Sequence, residues 1–325
     1  MGRRRRKAKG SAQRENAAVP EDSAPGPRTG RGETPGPVPP DCASQWSAGL
    51  LSGGILFLFV FALGLTHIRD ADTWWHLKTG QLILSEGLPR ADPFSYVSFS
   101  RPWVSFEWLS QLLFYGLYAL GGAWALTGFK SLLLASAFLL LWRVNRDRPI
   151  WSAALLAAAA LGCRLQFVER PFVFDYLFAA ALYAGLWEIR FDAPPARLLW
   201  AVPLGTAVWA NLHGGAAALA PLMLAASAAA ERLKDSRVPL RRWGIAAGLA
   251  AAALAVNPHG PAIVRHLWDT LNFPGKELIF EWHPPTGEYR GIYGFFLAAA
   301  AAALYPVARR RPFAAVWLLL TAAAS

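Results

Sequence analysis

Long apolar stretches alternate with short polar connections along most of the chain. The first stretch runs from Ala48 to Thr66 without a charged residue. At about 1.5 Å per residue it is just long enough to cross the hydrocarbon core of a bilayer. The further stretches lie at about 124–142, 150–163, 172–188, 198–210, 216–230, 243–256, 292–307 and 313–325. This pattern predicts an all-α fold, a polytopic transmembrane bundle of about nine spans.

The composition supports a membrane protein rather than a soluble one. The chain is 54% hydrophobic and only 16% charged, whereas a soluble domain usually carries about 25% charged residues. These values exclude a disordered protein and argue against a water-soluble enzyme. We therefore expect the lipid bilayer to be the main partner.

Residues 1–46 form a segment of different character. A basic block at residues 3–9 is followed by Pro, Gly, Ser and charged residues with almost nothing apolar. Such a segment is expected to be a disordered cytoplasmic tail, held near anionic lipid by its basic end. The net charge of +11 would suggest nucleic acid in a soluble chain, but here it reflects loop sidedness, and no nucleic-acid partner is expected.

The distribution of Lys and Arg orients the bundle. With the N-terminus in the cytoplasm, the inner segments hold 22 basic residues and the outer segments nine, as the positive-inside rule requires. This topology makes residues 108–120 an interfacial helix within the first external loop, because a span there would invert every later loop. The predicted external loops are about 67–123, 163–171, 211–215 and 257–291.

The same topology places all of the histidines and several carboxylates outside. The residues concerned are His67, His76, His213, His259, His266, His283, Asp70, Asp72, Asp92, Glu107, Glu169 and Glu281. Imidazoles and carboxylates carry out acid–base and metal chemistry near neutral pH. We therefore expect an active face, if the protein has one, on the outer side of the membrane.

The strongest cluster follows the first span directly. Asp70 and Asp72 are two residues apart, and Trp74, Trp75, His76 and Lys78 come next. Paired carboxylates can coordinate a divalent cation or accept a proton from an incoming hydroxyl or amide. The two tryptophans can stack on a sugar or anchor the loop at the membrane surface. A solvated loop without a function remains the alternative.

This cluster resembles part of a known family. Asp72-Thr-Trp-Trp-His-Leu-Lys78 is similar to the Asp-Pro-Trp-Tyr-His-Tyr-Arg stretch of oligosaccharyltransferase catalytic subunits, and Asp92-Pro-Phe-Ser-Tyr96 resembles a later stretch of the same loop. These enzymes belong to the GT-C superfamily of polyprenyl-phosphate-dependent glycosyltransferases. The resemblance implies sugar transfer with inversion. It also implies that Asp72 is the essential base or metal ligand with Asp70 assisting, and that Mg²⁺ or Mn²⁺ is a candidate cofactor.

Two departures from that family narrow the comparison. Where the second external loop of the family carries an acidic metal-binding pair, this chain has only Glu169 between Arg164 and Arg170. The 325 residues also hold no counterpart of that family's large soluble C-terminal domain, so the resemblance does not imply a peptide acceptor. The chain therefore looks like a simpler polyprenyl-phosphate-sugar transferase, with a glycan, lipid or protein acceptor.

Other external residues are candidate substrate contacts. Arg164 and Arg170 can hold a lipid phosphate, and Glu169 lies between them. Pairing with Glu169 or Asp175, or reaching the headgroups, is an equal alternative for the two arginines. His213 lies in a short turn that interrupts an apolar stretch. In the fourth external loop, His259 and His283 are candidates for which a solvated position is the alternative.

Two other functions fit the same pattern of spans. A transporter or flippase would explain Lys130, since a charged residue within a span often marks a transport pathway. A non-catalytic membrane partner would keep the external loop without its chemistry. After Arg311 about a dozen apolar residues remain, fewer than the roughly 20 that a span needs, so the transmembrane domain is expected to be truncated at its C-terminus, with part of the active site missing.

Overall fold

A computed structural model describes residues 42–97, 101–144, 146–189, 199–231 and 238–279, with isolated positions at 287, 290, 291 and 294. Within these ranges the chain is mostly helical and contains no β-strand. The all-α prediction is therefore confirmed. The apolar stretches at 292–307 and 313–325, His283 and most of the predicted tail lie outside the described residues.

Ten α-helices make up the described part of the chain. They are α1 (Cys42–Gly64), α2 (Asp72–Glu86), α3 (Trp108–Val144), α4 (Pro149–Cys163), α5 (Val173–Trp187), α6 (Ala201–Leu212), α7 (Gly214–Ala217), α8 (Leu219–Glu231), α9 (Leu240–Ala253) and α10 (Ala262–Leu271). Each apolar stretch predicted within these ranges is largely helical. The helix α1 also begins inside the predicted tail, so residues 42–46 are helical.

Two of these helices, α1 and α3, are long and apolar enough to cross a membrane by length and composition. The helices α4, α5, α6, α8 and α9 have between 12 and 15 residues, fewer than the roughly 20 that a full crossing needs. The lengths of the helices therefore do not test the expected number of nine spans, which stays a prediction.

The helix α3 consists of two segments. Gly121 (φ −152°, ψ 21°) and Gly122 (φ 60°, ψ −150°) have non-helical backbone angles, and the positive φ of Gly122 is a conformation that favours glycine. The break separates residues 108–120 from residues 123–144. The sequence predicted this division, with a separate helix before the span.

Glycines let the helices that carry the site approach one another closely. At Gly80 of α2, a Cβ atom would lie 2.2 Å from the carbonyl oxygen of Gln111 in the first segment of α3. At Gly64, at the end of α1, a Cβ atom would lie 2.7 Å from the hydroxyl oxygen of Ser131. The end of α1, the helix α2 and both segments of α3 are therefore packed together, with α5 also against α3.

Candidate functional site

The first external loop contains a helix that the sequence reading missed. The helix α2 begins at Asp72, so the cluster predicted as a loop is largely helical. Thr73, His76, Leu77 and Gly80 are buried on one face, with the i, i+3, i+4, i+7 spacing of a helix that packs on a neighbour. That spacing was the available signal. It places His76 inside the protein and leaves Lys78 exposed.

Arg170 bridges the two aspartates of the cluster. Its Nε lies 2.6 Å from Asp70 Oδ2, and its Nη2 lies 2.8 Å from Asp72 Oδ2. Asp70 Oδ1 also accepts the backbone N–H of Asp72 at 2.8 Å, which fixes the start of α2. The predicted residues Asp70, Asp72 and Arg170 thus form one group, and the Asp72 carboxylate is its most exposed member.

This donor set does not fit a resident divalent cation. A guanidinium already lies against one oxygen of each carboxylate, and its positive charge opposes a second cation in the same place. Across the described ranges, no group of three or more His, Cys, Asp or Glu side chains is placed to hold a metal ion. We therefore derive no catalytic step through Mg²⁺ or Mn²⁺.

Glu169, the residue next to Arg170, belongs to a different group. Its Oε1 lies 2.6 Å from Lys130 Nζ, and both side chains are almost fully buried. Lys130 Nζ also donates to the carbonyl of Phe167 at 3.0 Å and to Thr66 Oγ1 at 3.1 Å. These three acceptors match the three N–H groups of an ammonium. Glu169, predicted as a substrate contact, is instead the counter-ion of Lys130.

A chain of acid–base side chains lies beside the aspartates. His213 Nδ1 is 2.6 Å from Asp175 Oδ2, and His213 Nε2 is 3.5 Å from Glu107 Oε1. On its other side, Glu107 Oε2 is 3.8 Å from His76 Nδ1. Trp209 Nε1 donates to the second oxygen of Asp175 at 2.7 Å. We call Asp175, His213, Glu107 and His76 the relay; the sequence reading had selected its histidines but neither carboxylate as a site residue.

Burial sets the protonation of the relay. Burial raises the pKa of Glu107 to about 7, with His213 and Arg170 opposing and Asp175 and Asp72 adding to the rise. Burial, together with the charges of Arg170 and His213, lowers the pKa of His76 to about 3. Burial alone would lower the pKa of His213, but the hydrogen bond and charge of Asp175 and the charge of Glu107 raise it. The relay therefore combines an imidazole that stays neutral, a carboxyl group whose pKa lies near neutral pH, and a second imidazole whose pKa is raised above its usual value.

Aromatic rings form one wall beside the relay. The Trp75 ring lies 3.9 Å from the His76 ring and meets Phe94 and Trp103 edge-to-face. Phe94 is held in place by Asp92, whose Oδ1 accepts the backbone N–H of Phe94 at 2.9 Å. Trp75 is thus a packing residue, whereas Trp74 is half exposed and remains available to a ligand or a lipid headgroup.

The other predicted contacts are dispersed. Lys78 Nζ donates to Gln81 at 3.0 Å on the exposed face of α2. Arg164 is exposed in a short 3₁₀-helix. His259 precedes α10, and its backbone N–H donates to Asn257 Oδ1 at 2.8 Å. The structure brings none of these three into the group formed by the aspartates, Arg170 and the relay.

The candidate site has two halves. One is the arginine that bridges two carboxylates, and the other is the relay, whose side chains are suited to proton transfer. The halves are close enough for Asp72 and Arg170 to influence the pKa of Glu107. Comparison of the chain with protein-family models, curated proteins and solved structures gave no match.

Proposed function

We propose that this protein is an integral-membrane glycosyltransferase that moves a sugar from a polyprenyl-phosphate donor to an acceptor at the outer face of the membrane. The observation that carries the proposal is the Asp70–Arg170–Asp72 bridge at the exit of α1. It unites the carboxylates singled out by the resemblance with a cation suited to a phosphate. The proposal retains the predicted topology, in which the N-terminus lies in the cytoplasm and the active face lies outside.

Exposed apolar side chains support the membrane setting. On α1, Leu50, Leu51, Ile55 and Leu58 are all more than half exposed, along a helix without any charged residue. A continuous apolar surface of this kind indicates contact with lipid or a partner rather than water. Large exposed apolar residues recur on the second segment of α3, on α4 and on α6: Trp124, Ile150, Trp151, Leu155 and Leu204. This distribution favours a bundle of about nine spans that includes the shorter helices.

Arg170 is the proposed donor-phosphate contact. Its two ion pairs show that one edge of the guanidinium, with Nε and Nη2, faces oxygen atoms at 2.6 Å and 2.8 Å. A phosphate can place two of its oxygens against the same edge, and such a bidentate contact is stronger than a contact with a single point charge. A donor phosphate would compete with Asp72 for Nη2, since Asp72 is the more exposed of the two carboxylates. Binding of the donor thus releases the Asp72 carboxylate beside the sugar.

The transfer reaction needs three groups at this site. Arg170 stabilises the negative charge that develops on the departing phosphate. The released Asp72 carboxylate stabilises the positive charge that develops at the anomeric carbon. A third group removes the proton of the acceptor. The direct attack of the acceptor on the anomeric carbon gives inversion.

The transporter alternative loses the observation that favoured it. Lys130 was its candidate pathway residue, but the ammonium has a buried counter-ion and two further acceptors. A fully paired lysine serves packing within the bundle.

The proposal is tested by donor turnover in membrane vesicles. A panel of labelled polyprenyl-phosphate sugars is offered to the wild type, to Asp72→Asn and to Asp147→Asn. The last is a matched control, because Asp147 is exposed in the turn between α3 and α4. We expect the wild type and the control to release sugar from one donor, and Asp72→Asn to be slower by about 100-fold.

Each other outcome is informative. No release from any donor by the wild type would contradict the proposed function. Wild-type turnover in Asp72→Asn would leave glycosyl transfer standing and remove the role of Asp72.

A further inference from the structure

We propose that His213 is the catalytic base of the transfer, that Asp175 is its positioning residue, and that Glu107 receives the proton from His213. This inference rests on the proposed function. It differs from the prediction based on the resemblance, which made Asp72 the base. Neither the resemblance nor the sequence pattern assigned a role to Asp175 or Glu107.

The first argument concerns Asp72. Its Oδ2 lies 2.8 Å from Arg170 Nη2, so this oxygen is already occupied by a cation. When the donor phosphate takes the place of Asp72 on Arg170, the freed carboxylate still faces a cationic anomeric centre. Asp72 is therefore suited to charge stabilisation and poorly suited to proton removal.

The second argument concerns the geometry of His213. The 2.6 Å contact between Nδ1 and Asp175 fixes the ring and keeps the hydrogen on Nδ1, so that Nε2 presents its lone pair. Asp175 is itself held by Trp209 at 2.7 Å. An imidazole oriented by a carboxylate that is oriented in turn is the usual arrangement of a general base. The side chain of His213 is 24% exposed, so a substrate hydroxyl can reach it.

The third argument concerns the path of the proton. The 3.5 Å between His213 Nε2 and Glu107 Oε1 exceeds the roughly 2.7–2.9 Å of a charge-assisted hydrogen bond. Nε2 is thus close to Glu107 without being locked to it. On the other side of Glu107, His76 is only 3% exposed and lies near Gln111, so the proton is not passed beyond His76. Glu107 is therefore the group that accepts the proton from His213.

The complete step balances. The acceptor oxygen forms a bond to the anomeric carbon as the bond from that carbon to the phosphate oxygen breaks. The electron pair leaves with the phosphate, beside Arg170. The acceptor proton moves to His213 Nε2, and Asp175 stabilises the imidazolium. Glu107 then takes that proton, which restores the neutral imidazole of His213.

The charges around His213 define a pH signature. Asp175 faces it from α5, Glu107 from the residue before α3 and His76 from α2, while Asp72 and Arg170 act on Glu107. Because Asp175 raises the pKa of His213, its removal lowers that pKa. A reaction that requires the neutral imidazole loses rate as pH falls through the pKa of His213. Asp175→Asn should therefore move this acidic limb to lower pH.

The test compares His213→Gln, Asp175→Asn and the control His67→Gln, whose histidine is exposed in the segment between α1 and α2. For each variant kcat and KM are measured between about pH 5 and 8, and binding of a non-hydrolysable polyprenyl-phosphonate analogue is measured separately. We expect His213→Gln to lose about 100-fold in kcat with analogue binding unchanged. Asp175→Asn should lose less and show the shifted acidic limb, and the control should match the wild type.

Several outcomes would overturn the inference. A wild-type rate and pH profile in His213→Gln would exclude the base while glycosyl transfer stands. No turnover by the wild type with any donor would remove the proposed function, and this inference with it. If His213→Gln fails to fold or to bind the analogue, Asp175→Asn decides, and an acidic limb at the wild-type pH would exclude the positioning role.

Discussion

Two adjacent residues, Glu169 and Arg170, belong to charged groups of opposite character. Glu169 joins Lys130 in a pair whose side chains are 1% and 2% exposed. Arg170 joins Asp70 and Asp72 in a bridge whose side chains are 21%, 12% and 45% exposed. The difference between the groups is burial, because both contain short contacts between opposite charges. The closed pair is fixed within the bundle, whereas the open bridge can exchange a partner for a ligand.

Physical chemistry assigns different roles to the two groups. Breaking a buried ion pair leaves one charge without compensation, which costs several kcal/mol of folding free energy. Breaking a partly exposed pair costs less, because water screens the charge that is left. We therefore expect substitutions in the closed pair to affect folding, and substitutions in the open bridge to affect activity.

The largest expected effect comes from Lys130→Met. It leaves the Glu169 carboxylate buried without its counter-ion and should lower the free energy of unfolding by about 3–5 kcal/mol, measured as a fall in Tm of the purified protein. Lys78→Met, on the exposed face of α2, is the matched control and should melt like the wild type. The double variant Lys130→Met/Glu169→Gln should recover part of the loss. Equal melting of all variants would show that the pair does not stabilise the fold.

Arg170→Lys tests the open bridge. A lysine keeps the positive charge but lacks the planar guanidinium, whose parallel N–H groups can bind two carboxylates or one phosphate at the same time. We expect Tm to change little and kcat/KM for the donor to fall about 10- to 100-fold, which corresponds to the loss of a charged hydrogen bond of about 1.5–3 kcal/mol. A large fall in Tm with normal activity would make the bridge a structural element like the closed pair.

Gly80→Ala tests whether the open half depends on close helix packing. The added Cβ would lie 2.2 Å from the Gln111 carbonyl oxygen, so α2 must shift away from α3. Overpacking of this kind costs about 1–3 kcal/mol, and the shift should also displace His76. The control is Gly116→Ala, where a Cβ meets nothing within 4 Å. The packing argument fails if the two variants have the same Tm and activity.

The smallest expected effect is a change in how stability depends on pH. The pKa of His76 is lowered to about 3 from 6.5. Its stabilising contribution is therefore complete above pH 6.5 and declines as pH falls from there toward about 3. The pKa of Glu107 is raised to about 7 from 4.5. Its contribution is complete below pH 4.5 and declines as pH rises toward about 7.

Acidification from about pH 8 to 5 therefore affects the two groups in opposite directions. Tm of His76→Gln should fall less than that of the wild type over this range, because the variant lacks the group that loses stability. Tm of Glu107→Gln should fall more, because the variant lacks the group that gains stability. Melting curves at the two pH values measure both. Identical responses in all three proteins would contradict the assigned pKa shifts.

Sequence reasoning found the helices but not all of their lengths or contacts. Uninterrupted apolar runs identify a helix, and charge sidedness predicted that residues 108–120 are separate from the span that follows, whereas the position of the break at Gly121 and Gly122 comes from the structure. The helix α2 was not predicted, because its buried face carries Thr, His and Gly beside a single leucine and so gives no continuous apolar signal. The shorter helices were expected as full spans because composition alone does not set where a helix ends.

The candidate site was predictable only in part, for a related reason. Asp70 and Asp72 are local in sequence and could be read directly, but their partner Arg170 is distant. Asp175 and His213 are 38 positions apart, and no periodicity connects them. Such pairs are determined by how α5 and α6 pack together, which a single sequence does not reveal. Lys130 was recognised as a charged residue within a span, but its counter-ion Glu169 lies on another element and could not be predicted.

The break at Gly121 and Gly122 affects how α3 would adapt to bilayers of different thickness. A spanning helix adapts to a thicker or thinner bilayer mainly by tilting. If α3 were continuous over its 37 residues, a tilt would swing its first turn, where Trp108 donates a hydrogen bond to Asn211. The non-helical glycines act as a mechanical joint, so residues 123–144 can follow the lipid while residues 108–120 stay with the site. In the proposed setting, lipid composition would then adjust the tilt of this span without altering the reaction geometry.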